Sequence, residues 1–166
     1  MLKVNDMVIY DYSGVYKIID ICSKNFSPVG EQMYYAMVPV FENNNVVYRP
    51  MDNKKVNMRR LIDESEAKKL LEIKNYFENI WIENDRERQL SFSDILKSND
   101  LKRCINLYIT LHLKRIEKKD EGKKMHISDE KVFIVVEKLI LQEISIVLNI
   151  DLNSVKDLIF ENLSNL

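Results

Sequence analysis

The side chains with the most to offer chemically lie in the stretch FENIWIENDRERQ, residues 77–89. It holds the only tryptophan, Trp81, with Arg86 and Arg88 following within two helical turns. Two roles are open to that ring. A first helix running unbroken through residue 81 makes Trp81 the end of the apolar stripe Leu70, Ile73, Phe77, and so a core residue. Tryptophan is more often largely buried than displayed. Asn79 and the abrupt change to ENDRER permit a break near residue 79, and a break would hold the indole out towards a partner.

Charge adds to the second role. From Arg86 to Lys124 the chain carries Arg86, Arg88, Lys97, Lys102, Arg103, Lys114, Arg115, Lys118, Lys119, Lys123 and Lys124. Against them stand only Glu87, Asp94, Asp100, Glu117, Asp120 and Glu121. The net charge of the whole chain is -1, so any basic surface is local. A basic middle in a balanced chain can meet phosphates. Such a patch binds DNA weakly and with strong salt dependence, and needs a second anchor to act at a chosen place.

Enzyme chemistry has little to stand on. His112 and His126 sit in TLHLKR and KMHISD without metal-ligand spacing. There is no nucleophile elbow and no paired-histidine zinc motif, and three glycines could hardly build a phosphate loop. The carboxylates lie in mixed-sign helical runs, which usually form solvated faces. No catalytic residue, metal or cofactor is expected. Cys22 and Cys104 lie far apart and read as reduced thiols of a cytoplasmic protein. No signal peptide or membrane span is expected.

The elements that must position these residues follow from the helix breakers. Pro28, Pro39, Pro50, Gly14 and Gly30 fall early, and Gly122 is the only later one. Residues 1–60 therefore read as a β domain and 61–166 as helical. Five strand-like runs precede residue 60: LKVNDMVIY, VYKIIDICS, MYYAMVPVF, VVYRPM and KVNM. Tyr35, Met37, Pro39 and Phe41 share one face by the two-residue period. Gly14 ends a turn, Asn43-Asn44-Asn45 reads as a hairpin loop, and Pro39 belongs at an edge or bulge. So many short strands in so few residues predict a small, highly bent barrel. From Asp63 the period is helical, with Asp63 as cap and Glu66 completing a capping box. Further helices are expected near Ile82–Leu90, over Asp100–Lys118, from a Ser128 cap onward, and over Ser154–Asn162. The fourth is apolar nearly all round and should be the central helix of a bundle.

This layout resembles the CarD/CdnL group of bacterial transcription regulators, whose N-terminal domain is shared with transcription-repair coupling factors. The resemblance rests on Val4-Asn5-Asp6-Met7-Val8-Ile9-Tyr10, on Gly14-Val15-Tyr16, on Tyr34-Tyr35, and on Pro50 followed by Val56-Asn57-Met58-Arg59. Asn5, Tyr16 and Asn57 replace glycines of the pattern, and Asp11 replaces a proline. The resemblance implies an α+β protein: a Tudor-like barrel that binds the RNA polymerase β subunit, then a helical domain that contacts promoter DNA at the upstream edge of the bubble. It implies that Trp81 acts as a minor-groove wedge that stabilises the open complex. By position, Lys24, Tyr48 and Arg49 would face polymerase. Arg86, Arg88, Lys114, Arg115, Lys118, Lys119, Lys123 and Lys124 would touch phosphates. The expected partners are polymerase and DNA, with no membrane and no small-molecule substrate, and the expected state is a monomer. The alternative is a protein–protein interaction module without DNA, marked by an exposed apolar groove among the helices.

Overall fold

The computed structural model describes residues 2–28, 30–42, 45–52 and 57–164. The chain divides into two compact units, Met1–Leu61 and Ile62–Leu166.

The first unit is an antiparallel sheet of five strands: β1 (Met7–Tyr10), β2 (Val15–Ser27), β3 (Gly30–Pro39), β4 (Val47–Pro50) and β5 (Met58–Arg60). Their order is β4-β3-β2-β1-β5. Val8, Tyr16, Ile18, Tyr35 and Met37 form its core. The register of β2 against β3 shifts between Ile18 and Asp20 and again between Lys24 and Ser27. Such irregularities bend long strands. The edge strands meet through side chains, with Arg49 Nη1 3.9 Å from Met58 Sδ. Simple alternation fails in β3, where Tyr34 and Ala36 are buried as well as Tyr35 and Met37. A strongly bent sheet covers both faces of an inner strand such as β3, which lies between β4 and β2. Phe41 lies beyond the end of β3 and is exposed. Pro39 closes β3, and Pro50 lies on the edge strand β4, where a missing N–H costs no ladder bond. The expected Asn43-Asn44-Asn45 loop has Asn43 and Asn44 outside the described residues, as has the expected KVNM strand Lys55 and Val56.

Two departures from the glycine–proline pattern have backbone consequences. Asn5 has φ 74°, a left-handed conformation that asparagine tolerates better than most residues. It can therefore stand where the pattern has glycine. Asp11 has φ 47°, which proline, locked near −65°, cannot adopt. The turn after β1 is therefore built differently from one that carries proline. It is a short 3-10 turn, Asp11–Ser13, ended by Gly14 at φ 101°.

The second unit is a bundle: α1 (Glu64–Leu71), α2 (Asp85–Ser98), α3 (Leu101–Asp120), α4 (Ile127–Leu148) and α5 (Leu152–Ser164). Asp63 caps α1 by accepting from the Glu66 amide at 2.8 Å. Asp100 does the same for α3 through the Arg103 amide at 3.1 Å. The cap of α4 is not Ser128 but His126, whose Nδ1 accepts from the Ser128 amide at 3.3 Å. α4 touches each of the other four helices. Its residues 139–145 are all buried, as its apolar composition predicts for a central helix. Buried Glu143 accepts from the Ile62 amide at 3.0 Å. The packed interior includes Ile73, Phe92, Ile105, Tyr108, Ile140 and Ile144. α1 ends at Leu71, well before Phe77, so the first helix does not run through Trp81.

Candidate nucleic-acid interface around Trp81

After α1 comes a 3-10 turn at Ile73–Asn75, and residues 78–84 form no helix. This segment is a ledge pinned at several points. Asn79 Oδ1 accepts from the Trp81 amide at 3.0 Å, a local turn that competes with helix. The Ile80 amide donates to buried Thr110 Oγ1 on α3 at 3.2 Å. Arg88 Nη1 donates to the carbonyls of Ile82 at 2.9 Å and Glu83 at 3.1 Å.

Trp81 is half-buried: its ring packs on the core, with its centroid 6.4 Å from that of Phe92. The Arg88 guanidinium carbon lies 4.3 Å from the ring centroid and Lys114 Nζ 4.9 Å. Cations over the indole are attracted by its quadrupole. The indole Nε1 donates to Glu83 Oε1 at 3.0 Å. The ring is neither a core side chain nor a free one; it is braced with one part exposed.

The brace is a buried ion pair. Arg88 Nε and Nη2 donate to the two oxygens of Asp129, at 3.2 and 3.0 Å, and the side chains are only 4% and 2% exposed. Arg88 Nη2 also reaches Asp85 at 2.6 Å, and Gln89 Nε2 reaches Asp129 at 2.6 Å. A guanidinium has five N–H donors. With two to backbone carbonyls, two to Asp129 and one to Asp85, all are engaged. Burial opposes the charge, and the two carboxylates outweigh it, so the guanidinium is held above its ordinary value. This corrects the expectation that Arg88 touches phosphate. Arg88 positions Trp81 and has no donor left for DNA. The sign was present in the sequence: Arg88, Phe92 and Ile95 share one helical face, and all three are buried. Asp129, which the sequence offers only as a first-turn acid of α4, is its partner from forty-one positions away.

The other expected phosphate contacts separate into two groups. Beside Trp81 opens a cavity of about 500 Å³ that Lys114, Lys118, Lys124 and His126 help to line. Lys114 pairs with Glu117 at 2.9 Å, and Lys118 with Glu121 at 3.2 Å. Arg86 is exposed at the start of α2. Arg115, Lys119 and Lys123 instead border a different groove, with Lys124 common to both. Among the described residues no cluster of three or more His, Cys, Asp or Glu could hold a metal ion. No helix among them is long and apolar enough to cross a membrane.

In the first unit, Lys24 and Tyr48 are together on the surface. Lys24 Nζ is 5.8 Å from the Tyr48 ring centroid, and Phe26, 60% exposed, meets Tyr48 edge-on at 5.2 Å. Phe26 was not singled out from sequence, although it follows Lys24 by two residues and so shares its side of a strand. Arg49 is 7% exposed, so its guanidinium belongs to the interior and is not a surface charge. This corrects the expectation that it faces polymerase: its neighbour Tyr48 takes the outward register, and period two turns Arg49 inward.

A five-stranded antiparallel sheet followed by a helical bundle defines an α+β protein of two units. Residues 2–62 match the CarD-like/TRCF RID domain family. The N-terminal unit is thus similar to the CarD-like/TRCF RID domain, which supports an RNA polymerase-interacting, transcription-associated role for that unit. No curated protein matches the chain.

Proposed function

We propose that the sheet unit docks on the RNA polymerase β subunit and that the helical unit then presents Trp81 to promoter DNA at the upstream edge of the bubble, stabilising the open complex. The observation that carries this reading is the braced, half-exposed indole on a non-helical ledge. A buried arginine–aspartate pair is an elaborate support for a ring that only fills space. An apolar group fixed in this way can enter a partly unstacked base step. A ring already ordered by Arg88, Lys114 and Glu83 loses little freedom on contact, which favours affinity. Arg86, Lys114, Lys118 and Lys124 supply the surrounding positive charge. The Lys118–Glu121 pair lies near the surface and is weak enough to be exchanged for phosphate.

Docking through the sheet uses the Lys24–Tyr48–Phe26 surface and the open edge of β4, which can add a strand through main-chain bonds. Polymerase thus provides the second anchor that a modest basic patch needs. Stabilisation requires only that the protein bind the open complex better than the closed one. Permanganate reactivity of thymines at the upstream bubble edge tests this. Wild type with the cognate polymerase should raise it and Trp81→Ala should not, while both bind polymerase equally. Unchanged reactivity with polymerase-bound wild type would contradict the proposal.

A further inference from the structure

The groove bordered by Arg115, Lys119 and Lys123 has no role in the reading above. It has a volume of about 600 Å³ and lies between the C-terminal half of α3 and the start of α4. Met125, Ile127 and Ile134 supply its apolar lining. Ile127 is 72% exposed and Ile134 61%. They stand seven positions apart on α4, so they project from one face about 10 Å apart. Large aliphatic side chains this exposed, on a helix whose other apolar residues are buried or half-buried, mark a surface that another molecule covers.

The charges around it say what kind of molecule. Arg115 is satisfied by Glu130 at 3.4 Å and Lys123 by Glu121 at 3.0 Å. Lys119, Lys124 and Lys131 also line the groove, and among the described residues none has a carboxylate partner. Two isoleucines flanked by three unneutralised lysines fit an occupant that is apolar along one stripe and anionic beside it.

We infer that this groove binds an acidic amphipathic helix of a partner protein. Such a helix seats apolar side chains between Ile127 and Ile134 and sets Asp or Glu against Lys119 and Lys131, which line this groove alone. Duplex DNA satisfies the lysines but offers the isoleucines only sugar edges, so it uses half of what the surface provides. The groove meets the Trp81 cavity at Lys124, Met125 and Ile127, which line both. A helix seated here therefore lies next to the ledge. The inference does not depend on DNA binding at Trp81.

Fluorescence anisotropy tests it with a fluorescein-labelled helical peptide of about five turns, leucines on one face and glutamates elsewhere. A peptide of the same composition with its leucines spread round the helix is the control, and a labelled duplex is the third probe. The full chain should bind the amphipathic peptide at least about tenfold more tightly than the control. Ile134→Ser should lower that affinity about tenfold and leave duplex binding unchanged. Lys119→Ala with Lys131→Ala should lower it and flatten its salt dependence. Both variants change exposed positions, and unaltered circular dichroism shows that they fold. No binding, or equal binding of both peptides, overturns the inference. Loss of duplex affinity in Ile134→Ser also overturns it, by assigning the groove to nucleic acid.

Discussion

The two units solve the problem of placing a functional surface in different ways. In the sheet unit, placement depends on single backbone positions: Asn5 and Asp11 at positive φ, Gly14 ending a turn, and bulges that bend β2 against β3. In the helical unit, placement depends on a side-chain pair that joins α2 to α4 across forty-one positions of sequence, Arg88 to Asp129. The first kind of device is local in sequence, and the family match covers residues 2–62 even though Asn5 and Asp11 depart from the pattern. The second leaves an arginine and an aspartate among many, and only their burial separates them from the rest.

Breaking the pair should have the largest effect. Asp129→Ala leaves the buried guanidinium with only the exposed Asp85 carboxylate opposite it and should destabilise the protein by about 3 kcal/mol, read from urea unfolding followed by helical circular dichroism. Replacing both members by apolar residues, Arg88→Met with Asp129→Leu, should recover most of that stability, because two charges no longer need desolvation. The double variant should still lose the Trp81 function, since Ile82 and Glu83 lose their donor. A double variant that keeps full function would remove the positioning role assigned to Arg88.

Trp81→Ala comes next. A half-exposed ring should cost about 1–2 kcal/mol on removal, well below Asp129→Ala. A loss as large as that of Asp129→Ala would return Trp81 to the core. In the sheet unit, Asn5→Ala should destabilise by about 1 kcal/mol because alanine resists positive φ, while Asn5→Gly should be neutral or slightly stabilising. Equal effects of the two would show that the backbone at residue 5 is not what asparagine is there to permit.

The smallest effect is one of pH. His112 is half-buried with its ring centroid 4.1 Å from that of Phe160. Burial, then Lys156 and Arg115, hold its pKa below the ordinary 6.5, against Glu137. The folded ring therefore refuses a proton that the unfolded chain accepts. Stability is present above pH 6.5 and falls as pH drops through and below that value. His112→Gln should flatten that part of the stability profile, measured by urea unfolding across the range.

Much of the architecture was legible. The helix breakers gave the change from strands to helices, Asp63 caps the helix it precedes, and the apolar run of α4 marks the bundle centre. The break before Trp81 was readable from Asn79 but not required by it, because the choice between a helix and an Asx turn rests on the Ile80–Thr110 bond and on Arg88, both tertiary. Charge and nearness to Trp81 in sequence do not separate Arg88 from Arg86. The two differ only in helical phase, and phase sets one beside Phe92 and Ile95 and the other in solvent. Arg49 failed in the same way, since period two places it inward once Tyr48 faces out. The division of the remaining cations between the ledge and the α3–α4 groove depends on how two helices meet, which no local pattern encodes.

The central claim is that Trp81 is held ready for DNA while polymerase anchors the sheet unit. The most direct test is the lifetime of a competitor-challenged open complex with the cognate polymerase, comparing no addition, wild type and Trp81→Ala. Wild type should lengthen the lifetime, and Trp81→Ala should return it to the value without the protein while still co-eluting with polymerase. A folded, polymerase-bound Trp81→Ala protein that lengthens the lifetime as much as wild type would contradict the account.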